Sequence, residues 1–290
     1  MFVVVATGAA ALMQDQGRPG MASLGVTRSG AFDTVAAALA NRLVGNPESA
    51  AVIEALGGGL ALRTDDPAIV AVTGATGPVH VDRRAVARNA TLTLRGDTHI
   101  ELGAPSRGVR SYVAVRGGFA VRPVLGSRSY DTLGHLGPEP LQIGDWLPVG
   151  PATMPAAPVD HAPAPGSELP VALSIAPGPR RDWFTDATWD TLLTSAWQVQ
   201  PSSNRVGIRL GGPRLARTAT RVDAELPPEG LIQGAIQVPP DGQPIIMGPD
   251  HPTTGGYPVI AVVAPADCAH CAQLVPGDSV HLRAILFAGR

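Results

Sequence analysis

Side chains able to do chemistry crowd most densely between Gly234 and Ala261, G-A-I-Q-V-P-P-D-G-Q-P-I-I-M-G-P-D-H-P-T-T-G-G-Y-P-V-I-A. Asp241 stands in a Pro-Pro-Asp-Gly turn, and the ten residues from Gly248 to Tyr257 hold Asp250, His251, Thr253, Thr254, Gly255 and Gly256. A loop of that length is long for a plain connection, and long ordered loops often carry function. Paired glycines beside threonines let bare N–H groups face an anionic oxygen; the same residues also make an ordinary Gly-rich turn at a strand start. A second set is Ser202-Ser203-Asn204-Arg205, where the Asn204 amide and the rigid Arg205 fork suit an amide and its carboxylate. A third comprises Gln14, Asp15, Arg18, Ser29 and Asp33, in two loops at the mouth of one helix. Ser29 or Asp33 can cap that helix or serve a ligand. Arg18, in a G-R-P-G turn, has little local work, and its guanidinium suits a carboxylate or phosphate.

The elements that must position these residues are mostly short strands. Runs such as 51–55, 60–63, 69–73, 79–81, 90–94, 99–102 and 111–115 recur at roughly ten-residue spacing, divided by Gly- and Asp-rich turns. Val206, Ile208 and Leu210 alternate with Gly207 and Arg209, so the Asn204-Arg205 turn opens a strand. The Ala-rich stretch Thr34 to Leu43 reads as a helix ended by Asn46-Pro47; a second lies near Asp186 to Thr194, with Trp189, Leu192 and Leu193 as its buried stripe. Gln142-Ile143-Gly144-Asp145 and Val275-Pro276-Gly277-Asp278 are similar bends about half a chain apart, each leading into an apolar strand. Pro148 to Pro170, rich in Pro and Ala, reads as a linker. The expected fold is mainly β: an N-terminal β-barrel domain over 1–150, a linker over 151–169 and a second barrel over 170–290.

Composition removes several classes of function. The 290 residues carry a formal charge of −2 with mixed signs, which gives no electrostatic footprint for nucleic acid or an anionic membrane. The chain has no lysine, which rules out Schiff-base, PLP and lysine-based P-loop chemistry. No apolar run approaches membrane length and Met1 to Val5 lacks a basic leader, so a cytoplasmic protein is expected. Cys268 and Cys271, in C-A-H-C, supply too few ligands for a closed zinc site and read as small buried apolar residues.

Six segments taken together, Q-D-Q-G-R-P-G, S-G-A-F-D with A-N-R-L-V-G-N-P, V-L-G-S-R-S, S-N-R-V-G-I-R-L, G-A-I-Q-V-P-P-D-G-Q-P and T-T-G-G-Y-P, resemble the biotin-dependent carboxyltransferase, or allophanate hydrolase subunit 2, family, which includes KipA-type proteins and the C-subunit of ATP-dependent 5-oxoprolinase. The resemblance implies two cyclophilin-like β-barrel domains with a few short helices. It also implies a smaller KipI-type partner, a LamB/YcsF-type hydrolase partner and a small amide substrate. ATP would be used by the complex, and biotin, where it takes part, would be carried on a separate chain. Ligand recognition in the family maps to Asn204 and Arg205. For a lactam such as 5-oxoproline, Arg205 or Arg18 would hold the carboxylate, Asn204 and Gln237 read the amide, and Gly255 and Gly256 donate to the oxyanion. Ser29, Gly30 and Tyr257 complete the candidate binding set, Asp241 or Asp33 is the candidate base, and His135 and His251 are alternative bases. The resemblance equally admits a urea-type carboxyltransferase or a regulatory binding protein of a histidine kinase pathway.

Overall fold

The computed structural model describes residues 1–155, 161–163 and 171–285. The chain divides into two compact units, Met1–Pro19 with Arg28–Pro165, and Gly20–Thr27 with Gly166–Arg290. The division expected from sequence puts Gly20–Thr27 with the first half and sets 151–169 apart as a linker, whereas these units divide between Pro165 and Gly166. Much of the Pro/Ala-rich linker, 156–160 and 164–170, lies outside the described residues.

The first unit contains β1 (Phe2–Thr7), β2 (Ala10–Gln14), α1 (Thr34–Leu43), β3 (Val52–Leu56), β4 (Leu60–Thr64), β5 (Ala68–Thr76), β6 (Val79–Val81), β7 (Arg84–Val86), β8 (Thr91–Leu94), β9 (Thr98–Leu102), β10 (Arg107–Val115) and β11 (Trp146–Leu147). They form a six-stranded sheet, β11-β1-β4-β9-β6-β7, and a five-stranded sheet, β2-β3-β10-β5-β8. Alternation sends Phe2, Val4, Leu62 and Ile100 of one sheet and Ile53, Val70, Val72 and Val113 of the other into a shared core. The opposite face of the five-stranded sheet, Val52, Ala71, Tyr112 and Ala114, is covered by Ala36, Ala37, Ala40 and Leu43 of α1. With both faces covered, β10 is buried from Arg110 to Val115, and Glu54 and Tyr112 are drawn beneath the start of α1. The tight turn between β6 and β7 places Asp82 and Arg83 at φ 48° and 64°. That is type I′ geometry, whose twist matches the strands it joins.

The second unit contains β12 (Val171–Pro177), α2 (Asp186–Thr194), β13 (Trp197–Val199), β14 (Gly207–Gly211), β15 (Glu229–Gly230), β16 (Ala235–Gln237), β17 (Ile245–Met247), β18 (Thr254–Gly255), β19 (Val259–Val263), α3 (Cys268–Cys271) and β20 (Ser279–Ala284). Seven of its strands close a barrel in the order β12-β19-β16-β17-β14-β13-β20, sealed by parallel pairing of β12 with β20. Leu173, Ile175, Trp197, Ile208, Ile236, Ile246 and Leu282 are fully buried. Thr185 accepts from Thr188 N and caps the start of α2. The expected stripe is corrected: Thr188 and Leu192 are the buried positions of α2, while Trp189 is partly exposed and carries the Arg181 guanidinium 5.0 Å above its ring.

The two similar bends share one chemistry. Gly144 and Gly277 have φ of 93° and 91°. Asp145 Oδ2 accepts from Gln142 N at 2.7 Å, and Asp278 Oδ2 accepts from Val275 N at 2.9 Å. In each, the aspartate N–H also returns to the carbonyl three residues back.

Candidate functional site

Three of the recognised segments meet within the first unit, organised by Asp15. Its Oδ1 accepts from Gly17 N at 2.8 Å and from the hydroxyls of Ser127 and Ser129 at 2.6 Å each; Oδ2 accepts from Arg128 N at 2.6 Å. Its carbonyl accepts from Ala31 N, which draws in the Ser29–Asp33 loop. Ser29 and Gly30 both have positive φ, 54° and 103°, and a Cβ on Gly17 would stand 2.3 Å from the Arg28 carbonyl, so this crossing needs glycine. Arg18 is 2% exposed, and its Nη2 donates to the carbonyl of Ser129. The expectation that Arg18 lacks local work is corrected: it ties the loop after β2 to the Ser127–Asp131 segment. Asp33 Oδ1 accepts from Ala36 N at 2.9 Å, which is the cap of α1, so service as a base would cost the helix that cap.

A buried network behind the Ser29–Asp33 loop is absent from the motifs singled out in the sequence. Glu54, 3% exposed, accepts at Oε2 from Phe32 N at 3.0 Å and from the Tyr112 hydroxyl at 2.8 Å, and pairs through Oε1 with Arg110 at 3.4 Å. Tyr112 Oη in turn accepts from Asp33 N at 2.7 Å. Burial, then the charges of Glu54 and Asp33, push the Tyr112 phenol well above its ordinary pKa, so it stays a donor. A glutamate on an alternating strand facing a helix is the available signal. The asparagines of A-N-R-L-V-G-N-P are also structural: Asn46 donates to Val115 O and accepts from Gly117 N, and Asn41 donates to Ala50 O. His135 accepts or donates at Nδ1 to the Tyr130 hydroxyl, 3.0 Å away.

In the second unit, the loop between β17 and β19 is pinned at both ends by residues singled out in the sequence. At one end Arg205 meets Asp250 through two bonds, Nε to Oδ2 at 2.8 Å and Nη2 to Oδ1 at 2.9 Å, with both side chains buried. At the other, Gln237 Nε2 donates to the carbonyl of Tyr257 at 3.1 Å. Gly255 lies against Gln237: a Cβ there would stand 2.6 Å from Nε2. Asn204 Oδ1 accepts from Val206 N and Gly207 N, which shapes the turn; the residue is exposed, and its Nδ2 makes no hydrogen bond among the described residues.

One expectation changes at this loop. Gly255 and Gly256 do not have positive φ, and Gly255 belongs to the ribbon pairing β15 with β18. Gly255 is thus required by close approach rather than by an anion-binding nest. His251, named as an alternative base, is 8% exposed, with Nδ1 2.8 Å from the Pro252 carbonyl. Asp241 stands apart from both. It precedes β17 whereas Asp250 follows it, so a three-residue strand of about 10 Å and its flanking turns separate the two carboxylates. Its Oδ1 accepts from Gln243 N at 2.9 Å, and the side chain is exposed.

Cys268 and Cys271 are unbridged. Burial, then the charge of Asp267, pushes the Cys268 thiol up to about 11, and burial drives Cys271 higher still. Native protein at pH 7.5 should therefore react with a disulfide probe about 100-fold more slowly than unfolded protein; equal rates would refute the burial argument. Both thiols keep their protons where unfolded thiols ionise, so stability should fall as pH rises from the ordinary value of 9.0 toward about 11.

The architecture is mainly β, with a closed seven-stranded barrel and loops held by buried charge. A family model described as "Carboxyltransferase domain, subdomain A and B" matches residues 24–284, and the chain belongs to that family. It is 37% identical to the 5-oxoprolinase C-subunit of Escherichia coli K12 over 287 residues, covering 97% of this chain and 90% of that protein. It is 32% identical to urea amidolyase of Lachancea kluyveri over 96% of this chain but 16% of that one. The crystal structure of K. lactis urea amidolyase superposes with a TM-score of 0.91 at 29% identity, covering 98% of this chain and 18% of that chain. Relatives are thus components of hydrolase and carboxylase enzymes. No helix among the described residues is long and apolar enough to cross a membrane.

Proposed function

We propose that this chain is the C-subunit of an ATP-dependent 5-oxoprolinase-type complex, opening the lactam of 5-oxo-L-proline to L-glutamate together with a smaller KipI-type partner and a LamB/YcsF-type hydrolase. The carrying observation is extent: the match to the E. coli protein spans 90% of its length, against 16% of the L. kluyveri urea amidolyase. Opening a lactam is uphill unless its oxygen is activated, so ATP is consumed by the assembly, and a biotin carrier, if one is used, is a different polypeptide. Within this chain, the free Asn204 Nδ2 donates to a substrate carbonyl, and the Tyr257 side chain lies on the exposed end of the loop that Arg205 anchors. Arg205 acts as a positioning residue through Asp250.

Mixing the chain with its two partners and following phosphate release and glutamate tests this. Release should require 5-oxo-L-proline and this chain, and should fall at least tenfold in Asn204→Ala, a loss of about 1.4 kcal/mol. Release driven by urea and bicarbonate instead would replace the reading with urea carboxylation.

A further inference from the structure

We infer that the second unit carries, on the outer face of its barrel, a site for the zwitterionic head of an α-amino acid, with the product of the proposed reaction as its occupant. The site is an open groove of about 570 Å³ lined by Gln200, Ser202, Arg209, Asp241, Gln243 and Ile245. Alternation along β14 sends Ile208 and Leu210 into the barrel and Arg209 outward. The Arg209 backbone is engaged, its N–H by Ser203 Oγ and its carbonyl by Gln200 N, while its guanidinium makes no bond to the protein among the described residues.

Across the groove, Asp241 is held in place by its own turn. Oδ1 accepts from Gln243 N, and the Gln243 amide is fixed in turn by both the N–H and the carbonyl of Gly212. Oδ2 accepts no hydrogen bond among the described residues, and Asp241 lines the groove. Arg209 and Asp241 thus line one concavity, and among the described residues neither has a charge partner. A ligand bearing both a carboxylate and an ammonium on one carbon satisfies both, the carboxylate at Arg209 and the ammonium at Asp241. The choice of L-glutamate rests on the proposed function. The discrimination is chemical: 5-oxo-L-proline has a neutral lactam nitrogen and offers Asp241 no ammonium, so the groove tells product from substrate.

The test is titration of the isolated chain, followed by amide NMR shifts, with L-glutamate, 5-oxo-L-proline and N-acetyl-L-glutamate. L-Glutamate should shift Ser202, Arg209 and Gln243 and bind weakly, as exposed charge pairs do. The two ligands lacking an ammonium should bind about fivefold more weakly, as should L-glutamate to Arg209→Gln and Asp241→Asn. The asparagine keeps the acceptor for Gln243 N, so a folding defect does not imitate the loss. Absence of shifts in the groove, or equal binding of N-acetyl-L-glutamate, overturns the inference. Turnover of 5-oxo-L-proline by the reconstituted set with no glutamate response removes the groove alone; glutamate binding without turnover removes only the proposed reaction.

Discussion

Asp250→Ala should destabilise the second unit by about 3–5 kcal/mol, because it leaves the Arg205 guanidinium buried without its carboxylate. Both partners are buried and joined by two parallel bonds, so neither water nor salt screens the pair. Arg205→Lys should not rescue, since an ammonium cannot reproduce the fork. Removing both charges together, as in Arg205→Met with Asp250→Leu, should recover most of the loss. Urea denaturation monitored by tryptophan fluorescence suits the measurement, because Trp183, Trp189 and Trp197 all lie in this unit. A change under about 1 kcal/mol in Asp250→Ala would sink the claim that this pair anchors the loop.

A loss of comparable size is expected in the first unit from Glu54→Ala, about 3–5 kcal/mol, since Arg110 then loses its charge partner and Phe32 N its acceptor. Glu54→Gln retains an oxygen for Phe32 N and should cost less. Tyr112→Phe leaves Glu54 in place but strips Asp33 N of its acceptor, at about 1–3 kcal/mol. Hydrogen exchange separates the three: the Phe32 amide should lose protection in Glu54→Ala and the Asp33 amide in Tyr112→Phe. Unchanged exchange at both amides would show that the Ser29–Asp33 loop is held by other contacts.

Strands and turns are readable in the sequence because their signals are local. The ten-residue cadence of apolar runs, the Asp33 cap and the two Gly-Asp bends each depend on residues within a few positions. Arg205 and Gln237, named through the resemblance as substrate binders, each hold one end of the Gly248–Tyr257 loop. What stays hidden is long-range pairing. Nothing near Arg18 announces Ser129, and nothing near Glu54 announces Tyr112, because those partners arrive through sheet order.

The matched bends at Gly144 and Gly277 furnish an internal ruler. A Cβ at either glycine meets nothing within 4 Å, so alanine there imposes only the backbone strain of a positive φ, about 1 kcal/mol at each. One bend lies in each unit. Unequal melting shifts from two equal insults would therefore read out how firmly each half of the polypeptide stands by itself.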